Sequence, residues 1–435
     1  MGRHEKGAEL PRDQAHSSLE ADVPLEISPE VISSDNQVPD GGYGWVCVAS
    51  VFTINAFTWG VLASYGVCLN YYLQNNIFPE ATDLDFAFIG GIEFGMAMIV
   101  ASPVTILTRK LGTHAPIFIG IALQTGGFVA ASFAKRIWQL YLSQGVCVGL
   151  GVGFIFIPSV AVTSQWFEKK RSIANGINSA GSGIGGIIFS FATAGLIKNL
   201  SLGWGLRIIG LLSGTLNLIA ASLLRNRNAV IKPPMRGFDI QLLKKPPVLL
   251  LLSWAFTSML GYVIILYSLP DFSRSIHLSD SQAATTAALL NLGTAVGRPC
   301  IGFLSDRFGR IEIAGLMTLV CAVSVFAIWL PATSYGVTIL FSLISGSVIG
   351  TFWMTISPLS VEVAGLAELP SLLSLSWAFV VLPTTFSEVV GLKLRRADSD
   401  REYLYPQIFA GTAYAAASGI MFALWRIQRT RRSLK

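Results

Sequence analysis

Beyond a polar opening, the chain is a succession of apolar runs joined by short charged connections. Residues 1–40 are rich in Ser, Glu, Asp and Pro and hold no apolar stretch. They read as a disordered tail rather than a signal peptide, since no hydrophobic segment begins near Met1. From there, runs of about 20 apolar residues recur, the length a helix needs to cross a hydrocarbon core of about 30 Å. They fall at 46–70, 86–108, 115–134, 138–163, 173–197 and 204–223, then at 248–270, 282–304, 311–330, 334–358, 369–391 and 404–425. The pattern predicts an all-α polytopic membrane protein with twelve transmembrane helices. The longest polar connection carries Arg225, Arg227, Lys232, Arg236, Lys244 and Lys245 and divides the helices six and six. The predicted organisation is a tail (1–40), a six-helix bundle (41–223), a central loop (224–247), a second six-helix bundle (248–425) and a basic tail (426–435).

Loop charge orients these helices. Lys and Arg gather in the loops on the side of the termini, with Lys135, Arg136 and the 393–401 cluster as exceptions. Both termini are therefore expected in the cytoplasm, with the plasma membrane as the expected location.

Composition agrees with lipid as the main solvent. Of the 435 residues 52% are hydrophobic and 13% charged, against about 25% charged in soluble domains. The 42 glycines suit closely packed membrane helices. A net charge of +6 is no nucleic-acid signal, because the basic residues flank apolar segments. Cys47, Cys68, Cys147, Cys300 and Cys321 all lie in apolar runs, and His4, His16, His114 and His277 form no cluster. No metal, no cofactor and no enzymatic motif is expected; the partners are lipid and a small solute, with oligomeric state left open.

Two motifs sharpen the picture. The sequence Gly302-Phe303-Leu304-Ser305-Asp306-Arg307-Phe308-Gly309-Arg310 ends the eighth helix, and Arg109-Lys110-Leu111-Gly112 ends the second as a degenerate copy. The first resembles the signature loop of the major facilitator superfamily, which implies a fold of two six-helix bundles rocking about a midplane site. Gly302, Asp306, Arg307, Gly309 and Arg310 are the candidate latch, able to make charge-assisted contacts in one state and lose them in the other. Since Arg109 stands where the acid would be, the latch is expected to be asymmetric.

Asp40-Gly41-Gly42-Tyr43-Gly44-Trp45 leads into the first helix, and Trp166-Phe167-Glu168-Lys169-Lys170-Arg171-Ser172-Ile173-Ala174-Asn175-Gly176 opens the fifth, followed by Ala180-Gly181-Ser182-Gly183. With Gly203-Trp204, Trp59-Gly60 and Ser64-Tyr65-Gly66, these resemble the signatures of the monocarboxylate porter family, in its fungal branch. Physically, Tyr43 and Trp45 suit an interface. Lys169, Lys170 and Arg171 suit an anionic leaflet. Gly181 with Gly185, and Ser182 with Gly186, suit close helix packing.

Arg298 lies eight positions before Asp306, about 12 Å inside the eighth helix at 1.5 Å per residue. A charge at that depth faces an interior cavity, pairs with a carboxylate such as Glu362, or snorkels to the headgroups. The family resemblance implies that this arginine, followed by Pro299, holds a substrate carboxylate, for which a guanidinium is well shaped. Two departures stand out: the family's aspartate one turn earlier aligns with Thr294, and positions 60–66 lack the lysine of lactate carriers. Glu93 and Glu388 are then the candidates for a coupling proton, or else are paired or water-exposed. Asn55, Trp59, Tyr65, Tyr262, Tyr267, Asn291, Thr294, Trp353 and Trp377 are the remaining candidate lining, apolar bulk with polar tips. Pro158, Pro270, Pro358 and Pro383 are expected to kink or break helices.

The functional expectation is a secondary active transporter that moves a small organic solute by alternating access. An efflux pump for a fungal secondary metabolite is the alternative, although the fifth helix lacks the glycine–proline motif of drug–proton antiporters. A nutrient sensor that does not transport is the further alternative.

Overall fold

The computed structural model describes residues 38–396, 399 and 401–433. The expected tail over 1–40 lies almost wholly outside them. Among the described residues, twelve helices are long and apolar enough to span a membrane. The first six are α1 (Gly44–Leu69), α2 (Leu84–Leu111), α3 (His114–Ala131), α4 (Ile137–Trp166), α5 (Arg171–Asn199) and α6 (Leu202–Leu223). The second six are α7 (Pro246–Ser275), α8 (Asp280–Phe308), α9 (Arg310–Trp329), α10 (Tyr335–Ala364), α11 (Leu369–Leu394) and α12 (Leu404–Thr430). Helical structure continues past α12 to Ser433, so the basic residues expected as a tail at 426–435 largely extend the last helix. An even number of spans puts both ends of the described chain and the 224–245 connection on one face, which we call the terminal face.

Local chemistry marks several helix starts. Thr82 with Asp85, and Ser279 with Gln282, form capping boxes. Pro246 and Pro370 occupy first-turn positions, where no backbone N–H is needed. In α1, α4, α7 and α10, 67–78% of the apolar window is buried, against 39–44% in α3, α6, α9 and α12. The first set is the more enclosed, while the seam helices α5 and α8, at 39% and 44%, leave as much surface outward as the second set. The two bundles meet along α5–α8 and α2–α11.

The breaks differ from those expected. Pro158, Pro270, Pro358 and Pro383 all sit inside continuous helices. The backbone instead departs from helical geometry at Thr58 in α1, with φ −115° and ψ −83°, and is interrupted at Gly350 in α10. At membrane depth a freed carbonyl needs a partner. The Phe57 carbonyl accepts from Gln124 Nε2 at 2.8 Å and Asn217 Nδ2 at 3.3 Å, so α3 and α6 hold the break in α1 open.

Candidate functional site

Two of the non-proline breaks adjoin tryptophans, while others lie at Ser64 in α1 and Val100 in α2. Trp59 follows Thr58 and Trp353 lies one turn past Gly350. Their rings meet at 5.3 Å between centroids, and Trp353 stacks on Trp377 at 5.7 Å with 16° between planes. Phe94 and Phe156 pack on Trp59 at 4.9 and 5.4 Å, and Tyr262 closes on Trp353 at 6.0 Å. Trp59, Phe94 and Phe156 belong to the first bundle; Tyr262, Trp353 and Trp377 belong to the second. The cage therefore straddles the seam.

Arg298 lies beside it, 4% exposed. Its Nη1 donates to the Ser179 carbonyl and the Ser182 hydroxyl of α5, each at 2.6 Å. Gly350 makes room for the guanidinium, since a Cβ there would sit 2.6 Å from Nη2. No carboxylate ion-pairs with Arg298 among the described residues, so neither Glu362 nor the headgroup region claims it. The Tyr262 hydroxyl is a polar neighbour of both Arg298 and Trp353. Even so, Arg298 Nε and the indole nitrogens of Trp59, Trp353 and Trp377 are buried with no hydrogen-bond partner.

Toward the terminal face, the latch residues divide. Asp306 accepts from the backbone N–H groups of Ser172 at 3.0 Å and Ile173 at 2.8 Å, at the start of α5. A carboxylate there satisfies orphan donors and complements the helix dipole. Arg310 braces it, bonding Asp306 at 3.2 Å and the Glu168 carbonyl at 2.6 Å. Gly302 lets α8 approach Ser172, and Gly309 takes φ +111° at the turn. Arg307 is exposed, lies over the Phe308 ring, and takes no part. A second carboxylate reaches the same loop from within the first bundle: Asp40 Oδ1 accepts from the N–H groups of Glu168 at 2.8 Å and Lys169 at 2.9 Å. The entry motif is thus a clasp on the α4–α5 turn, with Tyr43 Oη also donating to the Leu223 carbonyl at 2.8 Å.

A family model described as Major Facilitator Superfamily matches residues 30–392. The chain belongs to that superfamily. It is 34% identical over 388 residues to Probable transporter MCH2 of Saccharomyces cerevisiae, covering 88% of this chain and 82% of that one. It is 27% identical over 449 residues to the Fujikurins efflux protein of Gibberella fujikuroi, covering 99% and 95%. Among solved structures, the proton:xylose symporter XylE superposes with a TM-score of 0.70 at 12% identity, covering 88% of this chain and 95% of XylE. The chain is a multi-pass membrane transporter, and its relatives are fungal, as the resemblance implied.

The superfamily fold brings only some of the predicted lining residues to the centre. Trp59, Tyr262, Trp353, Trp377 and Arg298 come together. Asn55 bonds back to the Val51 carbonyl at 2.9 Å, and Thr294 donates to the Gly346 carbonyl of α10 at 3.1 Å. Asn291 bonds back to the Ala287 carbonyl at 3.3 Å and packs at Gly186. In each of the three a side-chain donor is engaged by a helix backbone carbonyl. Tyr65 donates to the Phe86 carbonyl at 3.0 Å, away from Arg298. Glu93, 3% exposed, has Tyr65, Cys68 and Tyr267 as titratable neighbours. Tyr267 is in turn a neighbour of Glu388, whose Oε2 is buried without a partner. Arg171 is also misread by sequence: it is 5% exposed and donates to the Ser164 carbonyl at 3.2 Å, while Lys169 and Lys170 stay exposed.

On the far face, Arg395 pairs with Asp271 at 2.7 Å and Glu402 at 2.6 Å, and the Tyr403 hydroxyl also donates to Asp271. Burial alone would lower the Arg395 guanidinium, but Glu402, Tyr403 and Asp271 together raise it. Burial, then the Asp271 charge, pushes the Tyr403 phenol up. This knot ties α7, α11 and α12 within the second bundle.

Sequence reasoning passed over Phe94, Phe156, Ser179 and Gly350. The phenylalanines look like any core residue, and only Gly350, interrupting an apolar run before Trp353, carried a usable signal.

Proposed function

We propose that the protein is a secondary transporter for an organic anion, working by alternating access about Arg298, with the terminal face in the cytoplasm and the plasma membrane as its site. One observation carries this reading: a guanidinium buried at the bundle seam with no carboxylate against it. Removing a charge from water and leaving it without a counter-ion is costly unless a ligand supplies the opposite charge part of the time. Its partners, a carbonyl and a hydroxyl of α5, are ones a carboxylate can exchange for itself. Asp306 at the start of α5 serves as the latch that opens and closes with the cycle.

Export of a secondary metabolite is the second reading, favoured by the near-complete alignment with an efflux protein. Proton coupling would fall to Glu93 and Glu388, acids of opposite bundles with Tyr267 as a shared neighbour. An acidic group at this depth without a cation partner is a functional hypothesis by default.

Uptake and release of labelled carboxylic acids by reconstituted vesicles, with and without a pH gradient, tests these readings. Arg298→Ala is expected to abolish anion exchange, and full activity in that variant would sink the anion site. Glu93→Gln and Glu388→Gln are expected to leave exchange intact while removing the response to the pH gradient. If both keep that response, coupling lies elsewhere.

A further inference from the structure

Four buried donors that complete no hydrogen bond lie in one cluster, with the Tyr262 hydroxyl as the polar group beside two of them: the indole N–H groups of Trp59, Trp353 and Trp377, and Arg298 Nε. Their residues are 9%, 8%, 0% and 4% exposed, so water does not readily satisfy them. The walls around them are rings, and the Tyr262 hydroxyl is the polar group shared by Arg298 and Trp353. Such a site offers hydrogen-bond donors and aromatic faces, with one positive charge. It is short of acceptors.

We propose that this cage recognises a planar, conjugated organic anion carrying further acceptor oxygens or nitrogens, in preference to short aliphatic acids. The inference rests on Arg298 as the anion site and names the class of solute it takes. Two arguments carry it. First, a carboxylate on Arg298 leaves the indole donors unpaired, whereas a larger solute with acceptors along one edge reaches them as well; a site built to donate discriminates strongly against analogues that cannot accept. Second, the rings pack on one another across the seam, Trp59 on Trp353 at 5.3 Å among them. Separating the bundles breaks those contacts. A flat aromatic solute replaces them with equivalent stacking, and an aliphatic one does not.

The test uses the full-length protein, purified and reconstituted, with three probe acids: 3-hydroxy-2-naphthoate, decahydro-2-naphthoate and propionate. The first is flat and acceptor-bearing, the second has similar bulk without aromaticity, and the third carries the charge alone. The hydroxynaphthoate is expected to bind at least about tenfold tighter than either other acid. Trp353→Phe and Trp377→Phe, which keep a ring and remove the N–H, should each weaken it by about five- to tenfold. Binding of the decahydro acid should be unaffected in both. Equal affinity for the two bicyclic acids, or unchanged hydroxynaphthoate binding in both variants, overturns the cage. If all three acids bind and exchange alike, the anion-transporter reading stands and only the cage falls. If none binds or exchanges, both fall. The ranking in the unaltered protein decides the matter even if a variant fails to fold.

Discussion

The two seams on the terminal face do the same job with different chemistry. Between α8 and α5, a carboxylate from one bundle binds the helix start of the other, Asp306 on the N–H groups of Ser172 and Ile173 at 3.0 and 2.8 Å. Between α2 and α11 the motif position at the end of α2 is basic, and Arg109 and Lys110 are exposed. The central connection fills that role. The Gly237 carbonyl accepts from Ser102 of α2 at 2.9 Å and from Ser374 of α11 at 2.5 Å. Next to it, the Arg236 N–H donates to Ser371 of α11 at 3.0 Å. One seam is a direct, charge-assisted contact. The other is a neutral strap in which a single carbonyl joins both bundles. A duplicated fold thus keeps two closures while only one keeps the charged motif, because a helix start and a pair of hydroxyls are each satisfied by any well-placed acceptor.

This contrast ranks the consequences of mutation. Asp306→Ala removes the two charge-assisted bonds to the start of α5, of about 1.5–3 kcal/mol each, together with the Arg310 pair, and should shift the protein furthest toward an open terminal face. Spin-label distances between the ends of α5 and α8 would lengthen; an unchanged distribution would show that the carboxylate is not a latch. Gly237→Val comes next. A Cβ there would lie 2.7 Å from the Ser102 carbonyl oxygen, and overpacking of this kind costs about 1–3 kcal/mol. Labels on α2 and α11 should report that opening, and their failure to move would demote the strap to a passive linker. Ser374→Ala should cost about 0.5–1.5 kcal/mol, seen as a lower melting temperature. Combining it with Ser102→Ala should be less than additive, since both hydroxyls share one acceptor. The smallest effect is expected from Arg109→Asp, within about 0.5 kcal/mol of the starting protein. A clear gain in stability there would mean that a charged closure is also available at this seam and that the strap does not exclude it.

Legibility follows the same division. The Gly302–Arg310 motif is contiguous, so its charges and its turn were readable as a candidate latch, and Asp306 and Arg310 meet at the start of α5. Arg307 belongs to the same motif yet faces outward, because position within a turn does not fix which way a side chain points. The strap was invisible. Ser102, Gly237 and Ser374 are far apart in sequence, and each is individually an ordinary small residue. The cage was half visible: the tryptophans were candidates by type, but so were Asn55, Asn291 and Thr294, each with a side-chain donor engaged by a helix backbone carbonyl.

What the sequence determined by itself was the number of crossings, the division into two halves, the family and the depth of Arg298. Each depends on a local property, the length of an apolar run or a string of adjacent residues, and lipid punishes any other reading. Only the tertiary structure decided where α1 and α10 break, which rings meet across the seam, and which donors are left without acceptors. Those outcomes depend on partners supplied by other helices. The Phe57 carbonyl is free to leave its helix only because Gln124 and Asn217 are waiting for it.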